Sequence, residues 1–340
     1  MNTDTSNASQ YQRCITNSKR VNWDIDNDVI RHRTLDANHK FLPDSLSLVH
    51  QLSFLNQQDQ RFISQIQGRT YTYIFAVAER FVNAKVLELS LDHSLGDQTA
   101  LQALTRFSME ELKHQELFRR IGSMADEVLP AGYVETDSPN DVAMAVLQKS
   151  TWGVLALTCH IEIFTQVHYK QSIGSDTTLS PLFKDVFKFH WLEESQHATL
   201  DELEWQRIHA ACSADEIAQG VDDLIDLVLA VDGILQNQAH ADTHYFLENC
   251  EASLEQEEMD TINDTMLRAY RWQYIVSGAQ VERFQKALAG KLSAIQMEKV
   301  LSALQPLINH VGDITYCDSK TAASGVTGSG STDDRKRVHR

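Results

Sequence analysis

Two of the fourteen histidines follow a glutamate by three residues: Glu111 precedes His114, and Glu194 precedes His197. On a helix that spacing puts both side chains on one face, where they can share a metal ion. Two such pairs alone prove little. Two further glutamates lie within apolar sequence, Glu79 in IFAVAERFV and Glu162 in LALTCHIEIF. A carboxylate buried without a partner must neutralise, pair or bind a metal. The register ties the four together. Glu79 and Glu111 are 32 residues apart, as are Glu162 and Glu194, and the whole set repeats at an offset of 83. The adjacent acids Glu110 and Glu193 obey that offset, as do Phe81 and Phe164.

The midpoint of the first glutamate pair is residue 95, beside Gly96, and that of the second is residue 178, inside the polar stretch SIGSDTTLSP. Each pair therefore reads as a helix hairpin folded near its centre, with its two glutamates at one height. Two such hairpins packed together would gather four Glu and two His. That is the pattern of ferritin-like bundles that bind two metals with carboxylates. Carboxylate oxygen suits iron or manganese, and imidazole adds affinity for iron. The expectation is two Fe ions per chain (Fe2+/Fe3+), with manganese open. His190 breaks the symmetry. It lies four residues before Glu194 and seven before His197, so it shares their face, and its counterpart in the first hairpin is Phe107. We read it as a third histidine ligand that makes the two metal positions unequal. Glu110, Glu193 and Asp201 are placed to orient ligand histidines from behind. Tyr73 and Tyr169 lie within a turn or two of ligands and read first as packing residues. His160 and His168 point off the ligand face and read as structural.

The segment FHWLEESQHATLDE, carrying H-x-x-x-E-x-x-H, resembles the third-histidine segment of the di-iron N-oxygenases typified by p-aminobenzoate N-oxygenase. EELKHQELF and IEIFTQVHY are similar in kind to that family's other ligand helices. The resemblance covers roughly residues 40–210. It implies a non-haem di-iron centre that activates O2, through a peroxo-type species, and converts an amine to hydroxylamine or nitro products. Its ligands would be Glu79, Glu111, His114, Glu162, His190, Glu194 and His197. Two alternatives stay open: a di-iron hydroxylase or desaturase acting on a C–H bond, and a ferroxidase or iron-handling protein. The substrate is expected to be a small organic molecule such as an amine. No Gly-rich nucleotide loop occurs, so electrons must come from an external donor, a ferredoxin or a reductase.

The elements that position these residues follow from composition. The chain has 340 residues, 42% apolar and 23% charged, with only 14 Gly and 5 Pro. That scarcity of punctuation favours long helices. The fold class expected is all-α: a ferritin-like helical bundle of two metal-binding hairpins plus additional C-terminal helices. Helices are expected near 57–93, 97–122, 139–172, 181–210, 214–246, 259–289 and 291–311. Asp97, Ser138–Pro139, Ser180–Pro181 and the Ser213/Glu216 capping box mark four of the starts. Residues 1–40 read as a polar N-terminal extension, 41–315 as the ferritin-like domain, and 316–340 as a disordered tail rich in Ser, Gly and charge. The formal charge of −17 argues against nucleic acid as a partner. No apolar stretch suggests a membrane span or a leader. Five cysteines, at 14, 159, 212, 250 and 317, form no C-x-x-C pair, which fits a reducing, cytoplasmic setting. A homodimer stays open.

Overall fold

The computed structural model describes residues 2–314, and the expected tail at 316–340, with Cys317, lies outside the described residues. Every extended element among them is helical. Helix α1 spans Asn2–Arg20 and a short α2 spans Asp44–Ser47. The first hairpin is α3 (Gln57–Asp92) and α4 (Gln98–Asp126). After α5 (Pro139–Leu147) comes the second hairpin, α6 (Thr151–His168) and α7 (Pro181–Ala211). Then follow α8 (Ala214–Asn249), α9 (Gln256–Arg271), α10 (Ser277–Ala279), α11 (Glu282–Ala289) and α12 (Ala294–Val311). The fold is all-α, with a core of two antiparallel hairpins packed on each other. No described helix is long and apolar enough to cross a membrane.

The helices begin where side chains can satisfy the free amides of a first turn. Asn56 accepts from the amides of Gln58 and Asp59, and Asp97 from those of Thr99 and Ala100. Ser213 and Glu216 form a capping box. The five-residue turn 93–97 between α3 and α4 forces them antiparallel, so Glu79 and Glu111 return to one level.

The segment expected as one helix over 139–172 is split. Ser150 donates its amide to Asp223 on α8 and caps a new helix by accepting from Gly153. Here α6 and α8 nearly touch: a Cβ on Gly153 would lie 2.9 Å from the Asp223 Cβ, and one on Gly220 2.8 Å from the Trp152 ring. The expected helix at 259–289 is also interrupted, by a π-helical turn at Trp272–Val276 and a break before Glu282. Residues 7–40, expected as an extension, are packed onto the bundle. Tyr11, Cys14 and Ile15 of α1 are buried against α4 and α7, and Tyr11 donates to Glu204 at 2.6 Å. Trp23, Val29 and Leu35 enter the core behind them.

Two apolar clusters fill the bundle. One is built around Phe75, Phe118, Phe183 and Phe187, the other around Phe107, Trp152 and Trp205. The polar cluster described next lies between them.

Candidate metal centre

The seven residues expected as ligands converge. Glu79 comes from α3, Glu111 and His114 from α4, Glu162 from α6, and His190, Glu194 and His197 from α7. None is more than 4% exposed. His114 Nδ1 lies 3.4 Å from Glu194 Oε1, 3.6 Å from Glu111 Oε1 and 3.8 Å from Glu79 Oε2. His197 Nδ1 lies 3.0 Å from Glu111 Oε1, 3.3 Å from Glu194 Oε1 and 3.8 Å from Glu162 Oε2. His190 Nε2 lies 3.0 Å from Glu79 Oε1 and 3.1 Å from Glu194 Oε1. Two foursomes each present one donor atom per residue within 4.8 Å: Glu79, His114, His190, Glu194, and Glu111, His114, Glu194, His197.

Each of the seven also carries a buried nitrogen or oxygen without a hydrogen-bond partner, including both oxygens of Glu111 and the Nδ1 atoms of His114 and His197. Buried polar groups normally find partners, so such a concentration marks a place where cations fit. The charge agrees. Four carboxylates balance two divalent ions with the imidazoles neutral.

Without cations the four acids cannot all ionise. Burial, then Glu79, raises Glu111 well above the usual carboxylate range, and burial, then Glu162, does the same to Glu194. Burial pushes Glu162 up to about 8. Burial also opposes the charge on Glu79, but the neighbouring Glu111, His114 and His190 outweigh it and hold the carboxyl well below that range. Burial disfavours the His114 cation, yet Glu193 and Glu79 outweigh it and raise the ring to about 9.

The histidines are held from behind, in a crossed arrangement. His114 Nε2 donates to Glu193 on α7 at 2.9 Å, and His197 Nε2 donates to Glu110 on α4 at 2.8 Å. Each bond fixes its ring and leaves Nδ1 facing the cluster. The two supports differ. Glu193 accepts from Lys113 at 2.6 Å, while Glu110 accepts from Gln196 at 3.1 Å. Trp23 stacks on His114 with ring centroids 6.0 Å apart, and the Lys113 ammonium lies 3.8 Å above the same indole. Asp201 is different. Its carboxyl meets Thr158, Oδ2 has no partner, and it makes no hydrogen bond to a candidate ligand among the described residues.

The Phe107/His190 asymmetry has a structural counterpart. Phe107 stacks on His197 at 4.0 Å between centroids. At the matching place in the other half, His190 lies edge-on to His114 at 4.5 Å, against the rings of Phe75 and Phe118.

Beside α3 and α6 lies an apolar cavity of about 400 Å³. Its lining repeats the 83-residue offset: Ile74 with Leu157, Ala78 with Ile161, Phe81 with Phe164. Phe75 of this lining packs edge-on against His190 at 5.4 Å between centroids, so an aromatic ring stands between the cavity floor and the cluster. Exposed Asp141, Ala145, Asp226 and Ala230 form its mouth.

The other singled-out residues serve packing. Tyr73 donates to the Asp137 carbonyl at 2.7 Å, and Tyr169 stacks on Trp191. His160 Nε2 meets the Ile275 carbonyl at 3.0 Å, and His168 lies between Tyr71 and Ser277. Sequence reasoning missed Trp23 and Lys113 behind His114. The apolar spacing of Tyr11, Cys14 and Ile15, which announces that the N-terminal segment docks, was the available signal.

No protein-family model matches the chain, and no curated protein matches it. Among solved structures it aligns with an R2-like ligand-binding oxidase with aerobically reconstituted Mn/Fe cofactor, at 14% identity, 82% of this chain and 93% of that one, and a TM-score of 0.43. Two point mutants of such an oxidase, with the same cofactor, align at 16% and 12% identity with TM-scores of 0.42 and 0.36. They cover 82% and 90% of this chain and 93% and 94% of theirs. Likeness at this level carries no weight for the chemistry, which rests on the residues above.

Proposed function

We propose that the chain is an O2-activating non-haem di-iron oxygenase whose substrate is a small, largely apolar organic molecule. The convergence of seven buried candidate ligands, six of them with an unpartnered polar atom facing the others, carries this reading. One ion would be held by Glu79, His114 and His190 and the other by Glu162 and His197, with Glu111 and Glu194 between them. The pair supplies redox chemistry with O2 when bound. Manganese in one position is compatible with the same donors.

The chain itself does the rest. Glu193 and Glu110 set the tautomer and direction of His114 and His197. The Phe75, Phe81 and Phe164 rings exclude water from the floor of the cavity. An aryl amine reaches such a floor uncharged, whereas an alkylammonium would have to leave its charge in water. N-oxygenation of an aryl amine is therefore the reading we favour: amine, O2, two electrons and two protons give hydroxylamine and water. The electrons come from a ferredoxin or reductase. The apolar floor also favours a second reading, oxidation of a C–H bond lying against it.

The test is to mix reduced, iron-loaded protein with O2 alone, with a panel of aryl amines and with alkylbenzenes, following O2 uptake and products. N-oxygenation predicts amine-dependent uptake and a hydroxylamine or nitro product. Hydroxylated alkylbenzene without N-oxygenated product would move the reading to C–H oxidation. Ferric mineral growth indifferent to every organic compound would replace both with iron handling.

A further inference from the structure

A second apolar cavity, about 290 Å³, lies between α6, α8, α11 and α12 and is lined by Val228, Phe284, Met297 and Leu304 among others. Leu157, Val231 and Tyr274 line both this cavity and the one beside the metal cluster. The two are therefore neighbours across these three side chains. Each is close to the size of a small-molecule pocket, about 300–1,000 Å³.

Tyr274 is the polar member of the junction. It is 5% exposed, and its hydroxyl has no hydrogen-bond partner. Leu157 and Val231 can offer it none. A buried hydroxyl with no partner is disfavoured, and the side chain that carries it lines both apolar cavities. The backbone at Tyr274 is unusual as well. It belongs to the π-helical turn Trp272–Val276, an insertion of the kind that recurs at functional sites. Gly278 lets this segment approach α6, because a Cβ there would lie 2.3 Å from His160 Nε2. Burial holds the phenol protonated, well above its ordinary range, so it is a donor. At the mouth, Asp137, Asp141 and Asp226 face a single cation, Lys149, which is already paired with Asp226 at 2.7 Å. An anionic molecule is repelled there.

We propose that Tyr274 is a substrate-binding residue. Its hydroxyl donates to an ether or carbonyl oxygen midway along an elongated, uncharged substrate whose inner end rests near Glu79 and Glu162 and whose apolar tail fills the second cavity. What happens at the inner end rests on the function proposed above; the binding mode does not.

The test uses iron-loaded protein without O2, so that binding is read apart from turnover. Wild type and Tyr274→Phe are titrated with 4-octyloxyaniline, 4-octylaniline and 4-methoxyaniline. The ether should bind wild type about three- to tenfold tighter than 4-octylaniline, the range of one net hydrogen bond. Tyr274→Phe should erase that difference while keeping iron content and melting temperature. The octyl ether should also bind far tighter than the methoxy compound, and Leu304→Trp, which fills the second cavity, should remove that gain. The inference is overturned if Tyr274→Phe weakens both octyl probes equally or neither, or if wild type ignores tail length. Probes that bind as described but are never oxidised once O2 is admitted would defeat the proposed function alone. Amines oxidised with no dependence on Tyr274 or tail length would defeat this inference alone.

Discussion

His190 and Glu193 separate what each residue contributes. His190 stands where the repeat has Phe107, fully buried among Phe75, Phe118 and His114. His190→Phe should therefore fold, because the surroundings are already aromatic. It should change iron occupancy or the visible spectrum of the oxidised protein, and an unchanged site would remove His190 from the ligand set. Glu193 touches no proposed metal position; it orients His114. Glu193→Gln keeps an acceptor but loses charge, and should weaken iron binding about 10–100-fold, as loss of such supports does. Equal affinity in a metal titration would reduce Glu193 to packing. Six of the seven candidate ligands were legible in the sequence because an 83-residue repeat is visible without structure, and His190 because it shares the face of Glu194 and His197. The supports from Trp23 and Lys113 were not, since nothing local links residue 23 to residue 114.

At the level of elements, most helix ends were legible because caps are local, as at Asp97 and Ser213. The break at Ser150 was not, since its cause is Asp223 on a helix seventy residues later. The docking of α1 was signalled only by the narrow apolar stripe of Tyr11, Cys14 and Ile15 within a polar helix. Gly278→Ala should lower the melting temperature markedly, because overpacking of this kind costs about 1–3 kcal/mol and the ring it meets, His160, is held by Ile275; an unchanged melting temperature would show that the α6–α10 contact yields. His168 joins α6 to Ser277 of α10, and burial, with a smaller effect of His160, lowers its pKa to about 3. The unfolded chain takes a proton on this ring below about pH 6.5, while the folded chain does not until near 3. Stability is thus unaffected above 6.5 and falls between 6.5 and 3, by up to about 1.4 kcal/mol per pH unit from this group. Urea unfolding at pH 6.5 and 5 should show the loss in wild type and a smaller one in His168→Gln; equal slopes would mean the ring is protonated in the fold.

Across the whole molecule, the bundle encloses four carboxylates at the junction of two apolar clusters, with a cavity along their pseudo-symmetry. Such a cluster costs stability unless cations compensate it. Metal bound only by the folded chain adds stability by mass action, about 2.7 kcal/mol at a hundredfold excess over Kd. The most direct measurement is the number of irons bound per chain, from anaerobic Fe2+ titration followed by elemental analysis, on wild type and on Glu111→Ala/Glu194→Ala. Two per wild-type chain, with neither retained by the double variant, is the result predicted. Fewer than one per wild-type chain, or a count the double variant does not lower, would contradict a two-metal centre built from these residues.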